Sequence, residues 1–227
     1  RNPADVAVAL VAGLLARLRG RSEFAVSYED PALAELTDGL HGWFAASVPV
    51  RIRVPFEATL EALVAGVATD LGEARRHLTF SADLPLRQPK LRALPHAGGR
   101  SLPIAIVLAG EPDRVTAREG SEVTFVVGTN GSRGRLLYDA ARLSPETAAG
   151  LAERLARLIR GVRTARERPL GEQPIISDAE RRTLLTDWNA TDPPIDRSRT
   201  IDQLVHERAR LDPERTALVC RGRALSY

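Results

Sequence analysis

A single cysteine, Cys220, stands in 227 residues, so neither an intrachain disulfide framework nor a thiolate metal site can form. Lysine is nearly absent as well. Lys90 is the only one, and the remaining cations are arginines scattered among acids, which reads as genomic G+C bias. The net charge of +3 and the pI near 9.6 therefore carry no basic run interleaved with aromatics, the footprint that a nucleic-acid partner would need. Aromatic residues make up 4%, leaving Leu, Val, Ala and Ile to build the core. No apolar run reaches membrane-spanning length, and Val6 to Leu18 is too short and lacks a cleavage-site context. The reading is a soluble, cytoplasmic protein without a membrane partner. Methionine is missing altogether, the chain opens at Arg1, and it stops on Ala224 to Tyr227, a strand just beginning. A piece of a longer polypeptide is expected.

What is present is enough for one good core: 44% of the residues are hydrophobic. Asn2-Pro3-Ala4-Asp5 opens a helix with Pro at N1 and an acid in the first turn. Val6 to Leu18 is apolar nearly all round, so that helix is buried on most sides, and Gly20 stops it. Phe24, Val26 and Tyr28 share one face of a strand, as do Val48, Val50, Ile52 and Val54, with Arg51 and Arg53 facing the other way. Pro49 removes a ladder donor and places the second strand at an edge or after a bulge. Ala58 to Leu78 reads as an amphipathic helix, and the Pro-rich Phe80 to Gly99 as a long excursion or partly ordered loop. Leu102 to Leu108, Glu122 to Val127 and Gly134 to Tyr138 are strands, the last two joined in a hairpin through Thr129-Asn130-Gly131-Ser132. Ser144 caps a long helix whose apolar face is Leu151, Leu155, Leu158, Ile159 and Val162. Residues 1–170 thus form an α/β lobe, a mixed sheet with helices packed on it.

Residues 171–199 read as a linker holding one short helix, 177–188. Ser177 and Glu180 form a capping box, and Leu184, Leu185 and Trp188 lie on one flank. Asn189 ends the helix, and Asp192-Pro193-Pro194 prevents its continuation. Beyond it, Thr200 caps a helix with Ile201, Leu204, Val205 and Ala209 on one face, and two short strands flank Arg221-Gly222-Arg223.

No catalytic constellation emerges. Gly98-Gly99 and Gly128-Thr129-Asn130-Gly131 lack the strand, the helix and the Lys-Ser/Thr that a phosphate loop needs, and read as turns. His41, His77, His96 and His206 have no metal-ligand spacing. His77 follows Arg75-Arg76 at a helix C-terminus, where cations suit the dipole. His41 is read as a solvated loop residue, with a ligand-facing role as the alternative. Cys220 is expected to be a small core hydrophobe, and Asp139 a surface carboxylate at a strand end.

The stretch Glu180-Arg181-Arg182-x-Leu184-Leu185-x-x-Trp188-Asn189-x-Thr191, followed by Thr200-Ile201-x-x-Leu204-Val205 and Asp212-Pro213-Glu214-x-x-Ala217-Leu218-Val219, resembles non-ribosomal peptide synthetases where a condensation domain joins an adenylation domain. Upstream, the segment from Gly42 through Phe44 and Pro49 to Arg51 is similar to that family's Gly-Tyr-Phe-Val-Asn-Thr-Leu-Pro-Leu-Arg motif. The run from Gly134 to Tyr138 and Asp139 is similar to its late Gly-x-x-x-Tyr motif.

The resemblance implies a chloramphenicol-acetyltransferase-like single lobe at 1–170, the extended linker at 171–199, and the start of an adenylation domain at 200–227. Condensation domains work in a cleft between two lobes, and their His-His-x-x-x-Asp-Gly motif has no copy in this chain. Three positions depart from the pattern. Ala46 replaces the usual Asn, no Val-Pro-Phe follows the helix near Phe80, and the Arg-His-Pro stretch is only Arg100-Ser101-Leu102-Pro103. Together they imply relaxed selection on amide-bond formation. No cofactor is expected in this chain; phosphopantetheine on a carrier domain and ATP with Mg belong to the complete synthetase.

Three readings follow: a non-catalytic platform for the adenylation domain, part of an active condensation domain, or a recruitment module for a tailoring enzyme or carrier domain. Trp188 is expected to dock either on the lobe, where its loss would cost a few kcal/mol, or on the adenylation body.

Overall fold

The computed structural model describes residues 2–40, 42–77, 79–92, 102–191 and 198–227. Helix α1 (Pro3–Arg19) begins where the Asn2 side chain accepts a hydrogen bond from Ala4 N at 3.0 Å. It ends at Gly20, whose φ of 61° no side chain opposes. Strand β1 (Glu23–Glu29) leads to helix α2 (Pro31–Leu36), capped by Asp30, and then to β2 (Val48–Arg53). Helix α3 (Leu60–His77) is followed by two short helices, α4 (Leu84–Arg87) and α5 (Pro89–Arg92). Strands β3 (Ile104–Ala109), β4 (Val123–Gly128) and β5 (Gly134–Tyr138) precede helix α6 (Pro145–Thr164), which Ser144 caps by accepting from Thr147 N.

The five strands form one mixed sheet in the order β2-β1-β3-β4-β5. Its inner pairs, β1–β3 and β3–β4, are parallel, and its outer pairs, β1–β2 and β4–β5, are antiparallel. Pro49 lies opposite Ser27 in the edge strand β2, where the missing N–H costs no second ladder. Alternate strand residues (Phe24, Val26, Tyr28; Val50, Ile52; Ile106, Leu108; Val123, Phe125, Val127) share a core with α1, α3 and α6. Helix α1 is buried along most of its length, from Val8 to Ala16, as its nearly all-round apolarity predicts.

The segment after α6 belongs to the same core. Leu170 is 1% exposed, and the backbone N–H groups of Leu170 and Gly171 donate to Ala58 O and Phe56 O at 2.9 and 2.8 Å. Gln173, equally buried, donates from Nε2 to the carbonyls of Ala165 and Arg168 at 2.7 and 3.1 Å, closing the end of α6. Arg17 in turn donates to the Gln173 carbonyl.

The chain divides into two compact units, Arg1–Ser177 and Asp178–Tyr227. The second holds α7 (Asp178–Arg182), a π-helical turn at 183–187, α8 (Ile201–Leu211) and the antiparallel pair β6 (Thr216–Cys220) and β7 (Arg223–Ser226). Thr200 and Gln203 form a capping box at the start of α8.

Three expectations need correction. The stretch from Phe80 is not a plain loop over its described part: Pro85 and Pro89 each sit in the first turn of a short helix, where a missing N–H goes unused. Its remainder, 93–99, lies outside the described residues, as do His41 and His96. The helix expected at 177–188 is α-helical only to Arg182; Trp188 N then reaches back five residues to Thr183 O at 3.0 Å. Cys220 is exposed instead of buried, because the described part of its unit offers only β7 as a neighbour.

Candidate functional site

The Gly42-to-Arg51 motif starts with a turn. Gly42 takes φ 87°, a conformation that side chains resist, and Trp43 N donates to Leu40 O at 3.1 Å. The chain then lies antiparallel to residues 80–82 through an isolated bridge, Phe44 with Ser81. Ala45 N donates to Phe80 O at 2.9 Å, Ala82 N donates to Trp43 O at 2.8 Å, and the Thr79 hydroxyl donates to Ala45 O at 2.8 Å. With its backbone satisfied, this arm holds two aromatic side chains toward solvent. Trp43 is 73% exposed and Phe44 38%, with exposed Leu36 and Leu40 from the same run and Leu86 from the paired segment.

Farther along, Arg51 forms an exposed ion pair with Glu23 at 3.2 Å, of the kind worth little to stability. Gly134 opens β5 with its Cα close to Val126 O, where a Cβ would come within 3.2 Å, and Tyr138 pairs with Val123 at the strand's other end. The structure does not gather these motif positions into one site. Strands β2 and β5 are opposite edges of the sheet, four inter-strand spacings or roughly 19 Å apart. Each set of residues serves its own edge.

A cluster that periodicity does not reveal lies between α1, β1 and α3. Arg75 donates from Nε to Asp30 at 3.1 Å and from Nη2 to Asp5 at 2.9 Å and to the Tyr28 hydroxyl at 3.0 Å. Its guanidinium also stands 6.0 Å from the centre of the Tyr28 ring. Tyr28 OH donates to Asp30 at 2.6 Å, while the other Asp30 oxygen accepts Ala32 N. Burial pushes the Tyr28 phenol above its ordinary range, and the Asp30 carboxylate beside it adds to the shift. For Asp30 itself burial works upward, but the hydrogen bonds from Tyr28, Ala32 and Arg75 outweigh it and leave the carboxyl below its usual value. In Arg75 burial is likewise outweighed, by Asp5, Tyr28 and Asp30, and the guanidinium is held more firmly protonated. The Arg75–Asp30 pair is therefore held charged beside a neutral Tyr28 phenol, and the cluster serves as a clamp. Asp30 before Pro31 is a helix-cap pattern that could have pointed to it, but was not read as one; reading Arg75 as a dipole-facing cation missed the rest.

On the second face of the sheet, Arg118 grips Glu29 through two bonds of 2.7 Å. A largely apolar groove of about 380 Å³ runs between α1, the β4–β5 hairpin and α6, lined by Val6, Leu10, Phe125, Leu136, Leu155 and Ile159. Among the described residues no group of three or more His, Cys, Asp and Glu is placed to hold a metal, and no helix is long and apolar enough to cross a membrane. Asp139 accepts Ala141 N at 2.9 Å, a turn contact at the strand end.

In the second unit, Leu184, Leu185 and Trp188 are 37, 60 and 69% exposed, and Asn189 closes the π turn by donating from Nδ2 to Leu184 O at 2.8 Å. Ile201, Leu204 and Val205 of α8 are exposed as well.

No family model matches the chain. A stretch of 90 residues, 40% of the chain, is 31% identical to tyrocidine synthase 3 of Brevibacillus parabrevis, covering 1% of that protein. Over 110 residues, 48% of the chain, it is 32% identical to the dimodular nonribosomal peptide synthase of Bacillus subtilis, covering 5% of it. Among solved structures, the first condensation domain of the CDA synthetase aligns with a TM-score of 0.56 at 17% identity, over 77% of this chain and 42% of that one. The first unit has the fold of a condensation-like lobe. The chain is thus similar in sequence to non-ribosomal peptide synthetases and in fold to condensation domains. The X-domain solved with OxyB from teicoplanin biosynthesis shares the fold too, with a TM-score of 0.54 at 24% identity over 77% of this chain and 43% of that one. The condensation-like segment thus spans less than half of these solved chains and, at 1 and 5%, a small part of the curated relatives. The five-stranded mixed sheet with α1, α3 and α6 is a single chloramphenicol-acetyltransferase-like lobe, as the resemblance implies.

Proposed function

We propose that this condensation-like lobe is a non-catalytic platform in a peptide synthetase module, with residues 1–170 as the lobe, 171–199 as the linker and 200–227 opening an adenylation domain. The observation that carries the reading is the Trp43–Phe44 arm: aromatic side chains held outward on a hydrogen-bonded backbone suit protein docking. The partners are the adenylation and carrier domains of the same synthetase. Phosphopantetheine on the carrier domain and ATP with Mg at the adenylation domain supply the chemistry, and this lobe supplies position. The test uses the complete synthetase with both carrier domains loaded. A platform gives aminoacyl adenylate and a charged carrier but no dipeptidyl thioester at this module. Formation of the dipeptidyl thioester would overturn the reading in favour of an active condensation domain.

A second reading is favoured by the likeness to the X-domain, which was solved in complex with OxyB. On it, the same arm recruits a tailoring enzyme that acts on the carrier-bound peptide. Titration of the purified tailoring enzyme encoded beside the synthetase distinguishes the two: saturable binding weakened by Trp43→Ala supports recruitment, and no binding removes it.

A further inference from the structure

We propose that Arg75 is the positioning residue of the Trp43–Phe44 surface: its guanidinium locks together, at their bases, the two chain segments that present these aromatics. The proposal rests on the reading of that surface as a docking site.

The arm has two stems. One leaves β1 through Tyr28, Glu29 and Asp30, runs through α2 and reaches Trp43. The other leaves the last turn of α3 and reaches Thr79, Phe80 and Ala82, the residues that bond the arm. Arg75 stands four residues before Thr79 and binds two residues at the base of the first stem, Asp30 at 3.1 Å and Tyr28 at 3.0 Å. Asp30 is also the cap of α2, so one carboxylate joins the guanidinium to the helix that carries Leu33, 3% exposed, into the core. Asp5 adds a third attachment, to the rigid N-terminal turn of α1. A planar fork with several fixed donors can span three acceptors in this way, whereas the single ammonium of a lysine cannot keep all three directions. Above this clamp, the stems are joined by the backbone hydrogen bonds of Ala45 and Ala82 and by the Thr79 hydroxyl bond. Such a short, half-buried pairing opens readily once its base is free.

The experiment measures amide hydrogen exchange in Arg75→Lys and in the milder Asp30→Asn, which keeps an oxygen for Ala32 N. The indicator amides are Ala45 and Ala82, and Ile106 and Phe125 in the central strands serve as internal controls. Loss of charge-assisted bonds should speed exchange at Ala45 and Ala82 by about tenfold or more, with the control amides unchanged. Equal acceleration at all four amides would make Arg75 an ordinary contributor to global stability and overturn the proposal, as would no acceleration in either variant. Docking of the synthetase's own adenylation domain, read on the same variants in the complete synthetase as amide protection at Trp43 and Phe44, separates the two readings. Faster exchange at Ala45 and Ala82 with that protection undiminished keeps Arg75 as the positioning residue and rejects the arm as the docking site.

Discussion

Gly131 faces the carbonyl of Pro3 so closely that a Cβ on it would lie 2.5 Å from the Pro3 oxygen. The contact fastens the β4–β5 turn to the first turn of α1, and Gly131 holds φ 67° to make it, donating its N–H to Gly128 O at 2.7 Å. Two penalties therefore fall on any side chain here, the left-handed backbone and the collision with backbone atoms that cannot rotate away. Gly131→Ala should destabilise the first unit by roughly 2–5 kcal/mol, summing left-handed strain and overpacking. Urea unfolding followed by circular dichroism measures it, and a loss below about 0.5 kcal/mol, the level of a neutral surface change, would show that the contact is slack.

Leu170 and Gly13 give a prediction with a change of sign. The Leu170 methyl groups occupy the space a Cβ on Gly13 would need, at 3.0 and 3.1 Å. Leu170→Ala alone should cost about 2–5 kcal/mol, the range for emptying a buried leucine site. Gly13→Ala alone should also destabilise, since crowding offsets a helix-propensity gain of about 1 kcal/mol. In the Leu170→Ala background the crowding is gone, and the same Gly13→Ala change should stabilise. Denaturation midpoints of the four proteins in this cycle test it; a destabilising Gly13→Ala in both backgrounds would sink the account.

Elements whose cause is local were legible in the sequence. Phe24, Val26 and Tyr28 alternate and are buried together, Asn2 and Ser144 cap the helices that they precede, and Pro49 lies at a sheet edge. What stayed hidden depends on contacts between distant residues. Arg75 meets Asp30 and Asp5 at separations of 45 and 70 residues, which no periodicity records. Gln173 reads as an ordinary linker residue until Ala165 and Arg168 are seen to need its amide. The π turn before Trp188 shifts hydrogen bonds by one residue and leaves the apolar pattern of Leu184, Leu185 and Trp188 unaltered. For the candidate surface, the aromatic pair Trp43-Phe44 was visible, but not the strand-like pairing with Phe80 and Ala82 that holds it outward.

The lowered Asp30 carboxyl ties stability to acid. A group whose folded value lies below its unfolded one contributes stability that is complete above the unfolded value and lost as pH falls through the folded one. For Asp30 that window begins near the ordinary aspartate value of about 4 and extends downward. The difference in unfolding free energy between the parent protein and Asp30→Asn should be constant near neutrality and shrink as the pH drops below about 4. The exposed carboxylates Asp83, Glu146 and Asp202, also lowered, act equally in both proteins and cancel in the difference. A difference that stays level down to the acid transition would remove Asp30 from the balance.

Both tryptophans carry most of their surface toward solvent, Trp43 at 73% and Trp188 at 69%, so neither contributes much buried area to folding. Trp43→Ala and Trp188→Ala should each change unfolding free energy by less than about 0.5 kcal/mol, the scale of a surface substitution. Intrinsic fluorescence should shift little on unfolding while circular dichroism records the full transition. In a Trp188→Phe background, leaving Trp43 as the sole reporter, addition of the docking partner should move the emission to shorter wavelength as the indole leaves water. The matching Trp43→Ala substitution should weaken that association by about 2 kcal/mol or more, the size expected of a central aromatic anchor. Emission that stays unmoved at saturating partner would show that the partner binds elsewhere on the lobe.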